Sequence, residues 1–241
     1  MNRLALCGVV ASAALGCATE TDGGAMARVR VLNALSSAES GDVQYMASSY
    51  PADDIEFADL SPEFAMPAGA HSVALVLEPE SDELPPCRDA PADTLECAPP
   101  AVMASLLARM ATDVRYLVIF AERFADGREG LLVPLREPHD GASSNDGRLL
   151  VRYVHAMPST GSVSIEGGGS AQDRIGFRAA TGYHVVLGSG LDLDIRDDDG
   201  NVLIEGGTDL LSIDRDARTW TVVIVGDGSS VAPFTLVPVP G

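Results

Sequence analysis

Lysine is absent from this chain: all sixteen basic residues are arginine, against thirty-five acidic residues, for a formal charge of -19 over 241 residues. The arginines are dispersed among acidic residues, which suits a GC-rich coding sequence better than a surface of bidentate anion sites. With no basic cluster to override it, this charge repels nucleic-acid phosphates and anionic lipid headgroups, so nucleic acid is excluded as a partner. Aromatics are also scarce. One tryptophan, Trp220, and five tyrosines leave little from which to assemble a sugar-stacking platform. Signatures of catalysis are missing too: there is no C-x-x-C pair and no G-x-S-x-G elbow, and His71, His139, His155 and His184 have no metal-ligand spacing. Nor is there room in the pattern for the long helices of βαβ crossovers.

The N-terminus carries a targeting signal. After Arg3, the apolar run "LALCGVVASAAL" ends at Gly16 and Cys17, the parts of a secretory signal and too short for a permanent membrane span. The ending "ALGC" resembles the lipobox of bacterial lipoproteins, in which the cysteine is diacylated and becomes the new N-terminus. Ala14 stands where that pattern more often has Leu, and Ala18 beside the cysteine implies release to the outer membrane of a Gram-negative envelope. On this reading residues 1–16 are removed, 17–26 form a short tether from lipidated Cys17, and loss of Arg3 takes the charge to -20. The implied partners are the membrane, through that lipid, and an envelope protein or polysaccharide.

Cys87 and Cys97 remain in "PPCRDAPADTLECAPP". In an oxidising compartment two cysteines closing a polar, proline-rich loop are expected to form a disulfide, worth roughly 3 kcal/mol of chain entropy for a loop of this size.

What the sequence does contain is a repeat. "VRVLNALSSA" from Val29 and "VRYVHAMPST" from Val151 align without a gap, Arg30 on Arg152 and Asn33 on His155. The far ends agree as well: "YLVIFAERFADGREGLLVPL" and "TVVIVGDGSSVAPFTLVPV" each read as a strand, a Gly-containing turn at Asp126-Gly127 or Asp227-Gly228, and a strand closing on Leu-Val-Pro. Between the copies, "EPHDGASSNDG" has the composition of a linker. Within the second, "LDLDI" alternates so as to put Leu191, Leu193 and Ile195 inward, and Asp199-Gly200 turns a hairpin. Ala101–Met110, "AVMASLLARM", has helix-favouring composition. Its place in the repeat, opposite "DLLSIDRDARTWTVVIV", instead favours strand in both copies, because propensity yields readily to packing. The expectation is all-β: two tandem immunoglobulin-like sandwiches over 27–137 and 148–241, joined by 138–147, each of roughly seven strands with polar residues alternating outward.

"VRYVHAMPST" also resembles the opening of DUF4397, a family of extracellular bacterial and archaeal domains, through Val151, Arg152, Val154, His155, Ala156 and Pro158. The first copy keeps Val29, Arg30, Leu32 and Ala34. The Ala68-Gly69 turn and the strands at Val133-Pro134 and Val237-Pro238 extend the resemblance over most of 27–241. It implies an immunoglobulin-like fold and a surface location, and brings no activity with it.

His155 is expected to tie the strand end to the following turn, since Asn33 in the first copy keeps hydrogen-bonding capacity without acid–base chemistry. Ligand contact is the alternative role for His155, Asn33, Arg152 and Arg30. The acidic run "DLDIRDDDGN" offers Asp192, Asp194, Asp197, Asp198 and Asp199 as oxygen ligands of the kind Ca²⁺ takes. It lacks the EF-hand order, so a solvated hairpin tip without a cofactor is expected there, with Ca²⁺ as the alternative. The resulting expectation is a non-enzymatic cell-envelope lipoprotein, adhesive or scaffolding. A carbohydrate- or small-ligand-binding lipoprotein is the alternative, with a hydrolase behind it.

Overall fold

The computed structural model describes residues 25–36, 40–45, 49–77, 97–122, 128–135, 148–167, 170–188, 190–214 and 216–241. The signal segment, Cys17, Cys87, the Asp126-Gly127 turn and the 138–147 linker lie outside these residues.

The chain is all-β, and its strands form two β-sandwiches built on one plan. The first contains β1 (Met26–Ala34), β2 (Gly41–Tyr45), β3 (Ser49–Ile55), β4 (Phe64–Pro67), β5 (Gly69–Leu77), β6 (Ala101–Met110), β7 (Arg115–Glu122) and β8 (Arg128–Leu135). The second contains β9 (Arg148–His155), β10 (Ser162–Gly167), β11 (Ser170–Gly176), β12 (His184–Leu187), β13 (Gly190–Arg196), β14 (Val202–Asp209), the helical turn α1 (Leu210–Ile213), β15 (Thr219–Val225) and β16 (Thr235–Pro240). Among the described residues each sandwich has eight strands, against the roughly seven expected. In the second, the sheets run β11-β10-β13-β14 and β12-β9-β15-β16. The same orders recur in the first as β3-β2-β5-β6 and β8-β7-β1-β4, here fused into one eight-stranded sheet by a parallel pair between Ser105 and Glu129. In both copies the opening strand runs parallel to the penultimate one, Arg30 opposite Leu117 and Arg152 opposite Thr221.

Ala101–Met110 is a strand, pairing with β5 along its whole length. The departure comes in the other copy, where Leu210–Ile213 of the expected strand forms a helical turn. Trp220 and Tyr116 occupy equivalent ladder positions, so the second copy carries extra residues between β14 and β15, and the turn absorbs them. The closing strands also align two residues away from the "LVP" match. Tyr116 faces Pro134 while Trp220 faces Pro240, so Val133-Pro134 corresponds to Val239-Pro240. Because strand side chains alternate with period two, this slip leaves every residue on its expected face. Asp227-Gly228 opens a loop spanning 226–234 rather than a two-residue turn, and Asp199-Gly200 does turn a tight hairpin, with Gly200 at φ 84°.

Each sandwich has its own core. Val29, Val31, Leu75, Val118 and Phe120 anchor the first, and Tyr153, Ile165, Leu193, Trp220 and Ile224 the second. Leu191, Leu193 and Ile195 all point inward as their alternation requires.

A third cluster lies between the sandwiches, and it overturns the expectation of polar residues alternating outward. Leu32, Ala34, Ile119, Ala121 and Val133 of the first meet Val154, Ala156, Val223, Val225 and Val239 of the second. By the strand registers these are equivalent positions, pair for pair, so the seam has the self-complementary composition of an isologous contact. Strands β7 and β15 are consequently buried on both faces, which is why "YLVIFA" and "VVIV" read as continuous apolar runs. Polar bonds border the seam. Arg152 donates from a guanidinium nitrogen to the Pro134 carbonyl at 2.5 Å, and Arg178 to the Gly130 carbonyl at 3.1 Å. Asp227 is held below the usual carboxylate range first by hydrogen bonds from Ser229.

If the seam is a true core, Ile119→Ala will cost about 2–5 kcal/mol in urea unfolding, the range for a buried aliphatic truncation. Leu107→Ala, on a side chain 77% exposed, serves as the control and will change stability by less than about 0.5 kcal/mol. Equal small effects at both positions would mean that the outer face of β7 is not buried in solution.

Candidate functional site

At the end of β1 and of β9 the chain makes the same corner twice. The Asn33 N–H donates to the Asp59 carbonyl (3.2 Å) and its C=O accepts from the Ala58 N–H (2.8 Å). The His155 N–H donates likewise to the Ala179 carbonyl (3.0 Å), and its C=O accepts from the Arg178 N–H (2.8 Å). Ala58 and Arg178 both adopt φ 64°, a left-handed conformation that is uncommon outside glycine and is here set by the corner. Below them, Ser61 Oγ accepts from the Val31 N–H (2.8 Å) and Thr181 Oγ1 from the Tyr153 N–H (3.0 Å). Each hydroxyl then donates to the next carbonyl, Pro62 or Gly182.

The side chains of Asn33 and His155 complete the corner. Asn33 Oδ1 accepts from the Leu35 N–H (3.1 Å), and Nδ2 donates to the Ile55 carbonyl (3.0 Å). His155 Nδ1 accepts from the Met157 N–H (3.2 Å), again two residues on, while Nε2 lies 3.2 Å from the Thr160 carbonyl. An acceptor at Nδ1 and a carbonyl at Nε2 assign the neutral Nε2–H tautomer. The ring has no exposed surface and meets the edge of Phe177 at 6.0 Å. Desolvation lowers its pKa from 6.5 to about 4, against opposing contributions from the Thr160 hydrogen bond and the charge of Asp198. With both nitrogens spent on backbone, the imidazole joins two stretches of chain and offers no free nitrogen to a substrate.

The other half of the corner lies outside the two opening stretches. Ile55, Phe57 and Ser61 recur as Ile175, Phe177 and Thr181 at an unchanged offset, and that spacing was the available signal.

Arg152 and Arg30 have diverged. Arg152 Nε donates to Thr221 Oγ1 (3.0 Å), and its guanidinium lies 5.0 Å from the centre of the Tyr183 ring. Arg30 faces Leu117 instead of a threonine, and its Nε is buried without a hydrogen-bond partner. Trp220 is fully buried in the second core, so it presents no face to a sugar.

The acidic residues do not converge. Asp197 turns into its own loop, accepting from the Asp199 N–H (3.0 Å), the Asn201 N–H (2.8 Å) and Asn201 Nδ2 (2.8 Å), and the Asn201 side-chain bond leads the effects that lower its pKa. Asp194 pairs with Arg196 at 2.9 Å, while Asp192 and Asp199 are exposed. Asp198 takes hydrogen bonds from Ser162 and Arg174, and these hold its carboxyl below the ordinary range. Among the described residues no group of three or more His, Cys, Asp or Glu could hold a metal ion.

One concave feature breaks the repeat. In the first sandwich Ser105 of β6 pairs with Glu129 of β8, and Gly130 makes that approach possible. A Cβ on Gly130 would lie 2.6 Å from the Leu106 Cβ. By register the second sandwich has Glu205 for Ser105, Gly206 for Leu106, Thr235 for Glu129 and Leu236 for Gly130. The large and small residues have changed sides, and β14 and β16 do not pair. A groove of about 180 Å³ lies between them, lined by Ile204, Glu205, Gly206 and Thr208 on one side and by residues 234–236 on the other. No family model matches the chain, and no curated protein matches it.

The corner makes a prediction in two parts. His155→Asn will cost about 1–1.5 kcal/mol, the scale of one hydrogen bond, because the shorter amide can use the Met157 N–H and the Ile175 carbonyl as Asn33 does their equivalents. His155→Ala will cost about 2–4 kcal/mol, leaving a cavity and unsatisfied backbone groups. Since the folded pKa is below the unfolded value, the unfolded chain binds the extra proton. The stabilising contribution is therefore present above pH 6.5 and lost as pH falls from 6.5 towards about 4, a loss of about 3 kcal/mol at most. Urea midpoints measured from pH 7.5 to 4 will fall more steeply for the wild type than for His155→Asn. Parallel curves would show that His155 is not buried as the neutral form.

Proposed function

We propose that the chain is a non-enzymatic lipoprotein of a Gram-negative cell envelope, held in the outer membrane by a lipid on Cys17 and presenting two DUF4397-like sandwiches as an adhesive or scaffold module. The observation that carries this reading is the use of the polar side chains at the repeated corner. Asn33, His155, Ser61 and Thr181 are all spent on backbone groups, so Asn33 and His155, which first suggested a site, serve to hold two loops in place. The carbohydrate alternative is weakened by the burial of Trp220.

Membrane residence on this account comes from lipid alone. A chain with a formal charge of -19 is repelled by anionic headgroups. Stable anchoring takes more than a single acyl chain, a requirement that diacylated Cys17 would meet. A Cys87–Cys97 disulfide belongs to the same proposal, because export would place both thiols in an oxidising compartment.

Labelled palmitate is expected to enter the wild-type protein and not Cys17→Ala. Protein from the envelope, digested without reduction, is expected to yield joined Cys87 and Cys97 peptides in mass spectrometry. Equal labelling of both proteins would remove the anchor from the account, and free thiols at both cysteines would remove the disulfide.

A further inference from the structure

The groove between β14 and β16 is where one sandwich stands open and its twin is closed, and the closed twin shows which chemistry the place supports. In the first sandwich the equivalent edges meet by backbone pairing at Ser105 and Glu129. In the second, Glu205 and Thr235 occupy those two positions and line the groove from opposite sides. We propose that an extended peptide segment carrying a basic side chain binds here by adding a strand to the free edge of β14, its cation facing Glu205. This names the mode of contact for the adhesive reading and depends on that reading only for its setting.

Three observations select this occupant. First, β16 is guarded where β14 is not. Pro238 and Pro240 cannot donate, so the ladder to β15 must use the alternate residues 235, 237 and 239. The outer edge of β16 therefore lacks N–H groups at two of its positions, a common protection against strand addition, and the groove lies at the end where that protection stops. β14 contains no proline, and the space beside Gly206 is open, nothing lying within 4 Å of a Cβ built there. Second, the groove's volume of about 180 Å³ is below the ~300–1,000 Å³ of small-molecule sites. It suits a strand laid along an edge, where main-chain hydrogen bonds give affinity and alternate side chains give selectivity. Third, Glu205 is exposed at the groove on a chain with net charge -19. A second copy of the chain would bring another Glu205 and the same net charge, whereas a basic segment is attracted.

The test uses the full chain in detergent micelles and three fluorescein-labelled peptides. The first reads Thr-Val-Lys-Val-Thr-Val, the second has Glu in place of Lys, and the third is the Lys peptide N-methylated at alternate residues. Binding is read by anisotropy and by NMR shifts of backbone amides. The Lys peptide is expected to bind at least about tenfold more tightly than the Glu peptide, a difference of one close charge contact, and to move amides within 204–208 and 234–236. N-methylation should remove the binding, and Glu205→Arg, an exposed substitution that leaves the core intact, should reverse the charge preference. Equal binding of the methylated peptide, shifts confined to other strands, or no shift at the solubility limit of the Lys peptide would each overturn the proposal. A chain already dimeric through this edge would overturn it in favour of a second copy. Palmitate incorporation does not depend on any of these results, so failure of the groove and failure of the anchor are separate outcomes.

Discussion

Both sandwiches depend on a strand pair that is buried on both faces towards its C-terminal end. β1 and β7 in the first unit, and β9 and β15 in the second, contribute one side to their own core and the other to the seam between the units. Removing either unit would expose an apolar sheet face, Leu32, Ala34, Leu117, Ile119, Ala121 and Val133 in the first. The two sandwiches are thus halves of one folding problem, and their equivalence follows from the same constraint. A contact between like faces is satisfied by like residues, as in Ile119 with Val223 and Val133 with Val239.

Where the seam and the cores fix the chain, the copies agree; where they do not, the copies diverge. The corner at Asn33 and His155 keeps its backbone bonds, its φ 64° residue and its hydroxyl in both units, although the side chain at its centre has changed type. An amide and a neutral imidazole each supply one acceptor and one donor, and the geometry demands no more. The far edge carries no such demand. There, exchange of Leu106 and Gly130 for Gly206 and Leu236 separates two strands that the first unit pairs. A repeat in which one edge is sealed and the other open has kept its scaffold twice and freed one copy for contact.

Much of the fold was legible from alternation and self-similarity. "LDLDI" announced its inward face, and the gapless match of Val29 onward with Val151 onward placed the opening strands in register. The strand at Ala101–Met110 could be preferred over a helix only because its partner copy constrained it. The same copying misled at Leu210–Ile213, where inserted residues curl into a turn that no strand pattern encodes, and at "LVPVP", where two identical dipeptides two residues apart leave the register ambiguous without altering the faces. The seam was written in the apolar runs at Tyr116–Ala121 and Val222–Val225. A single-domain sandwich expects polar residues on one face, and that rule hid the meaning of the runs. The groove was not legible at all. It arises from a strand pairing absent in one copy and present in the other, which depends on the register of four strands at once.

Native-state hydrogen exchange across a urea series tests the seam most directly. If the two sandwiches are held as one body by their shared apolar faces, the amides of Leu117–Ala121 in β7 and Val222–Val225 in β15 will exchange through openings of equal free energy and equal urea dependence, the mark of a single cooperative unit. Protection of one of these strands persisting at urea concentrations where the other exchanges freely would contradict the account, because each sandwich would then stand without the face the other provides.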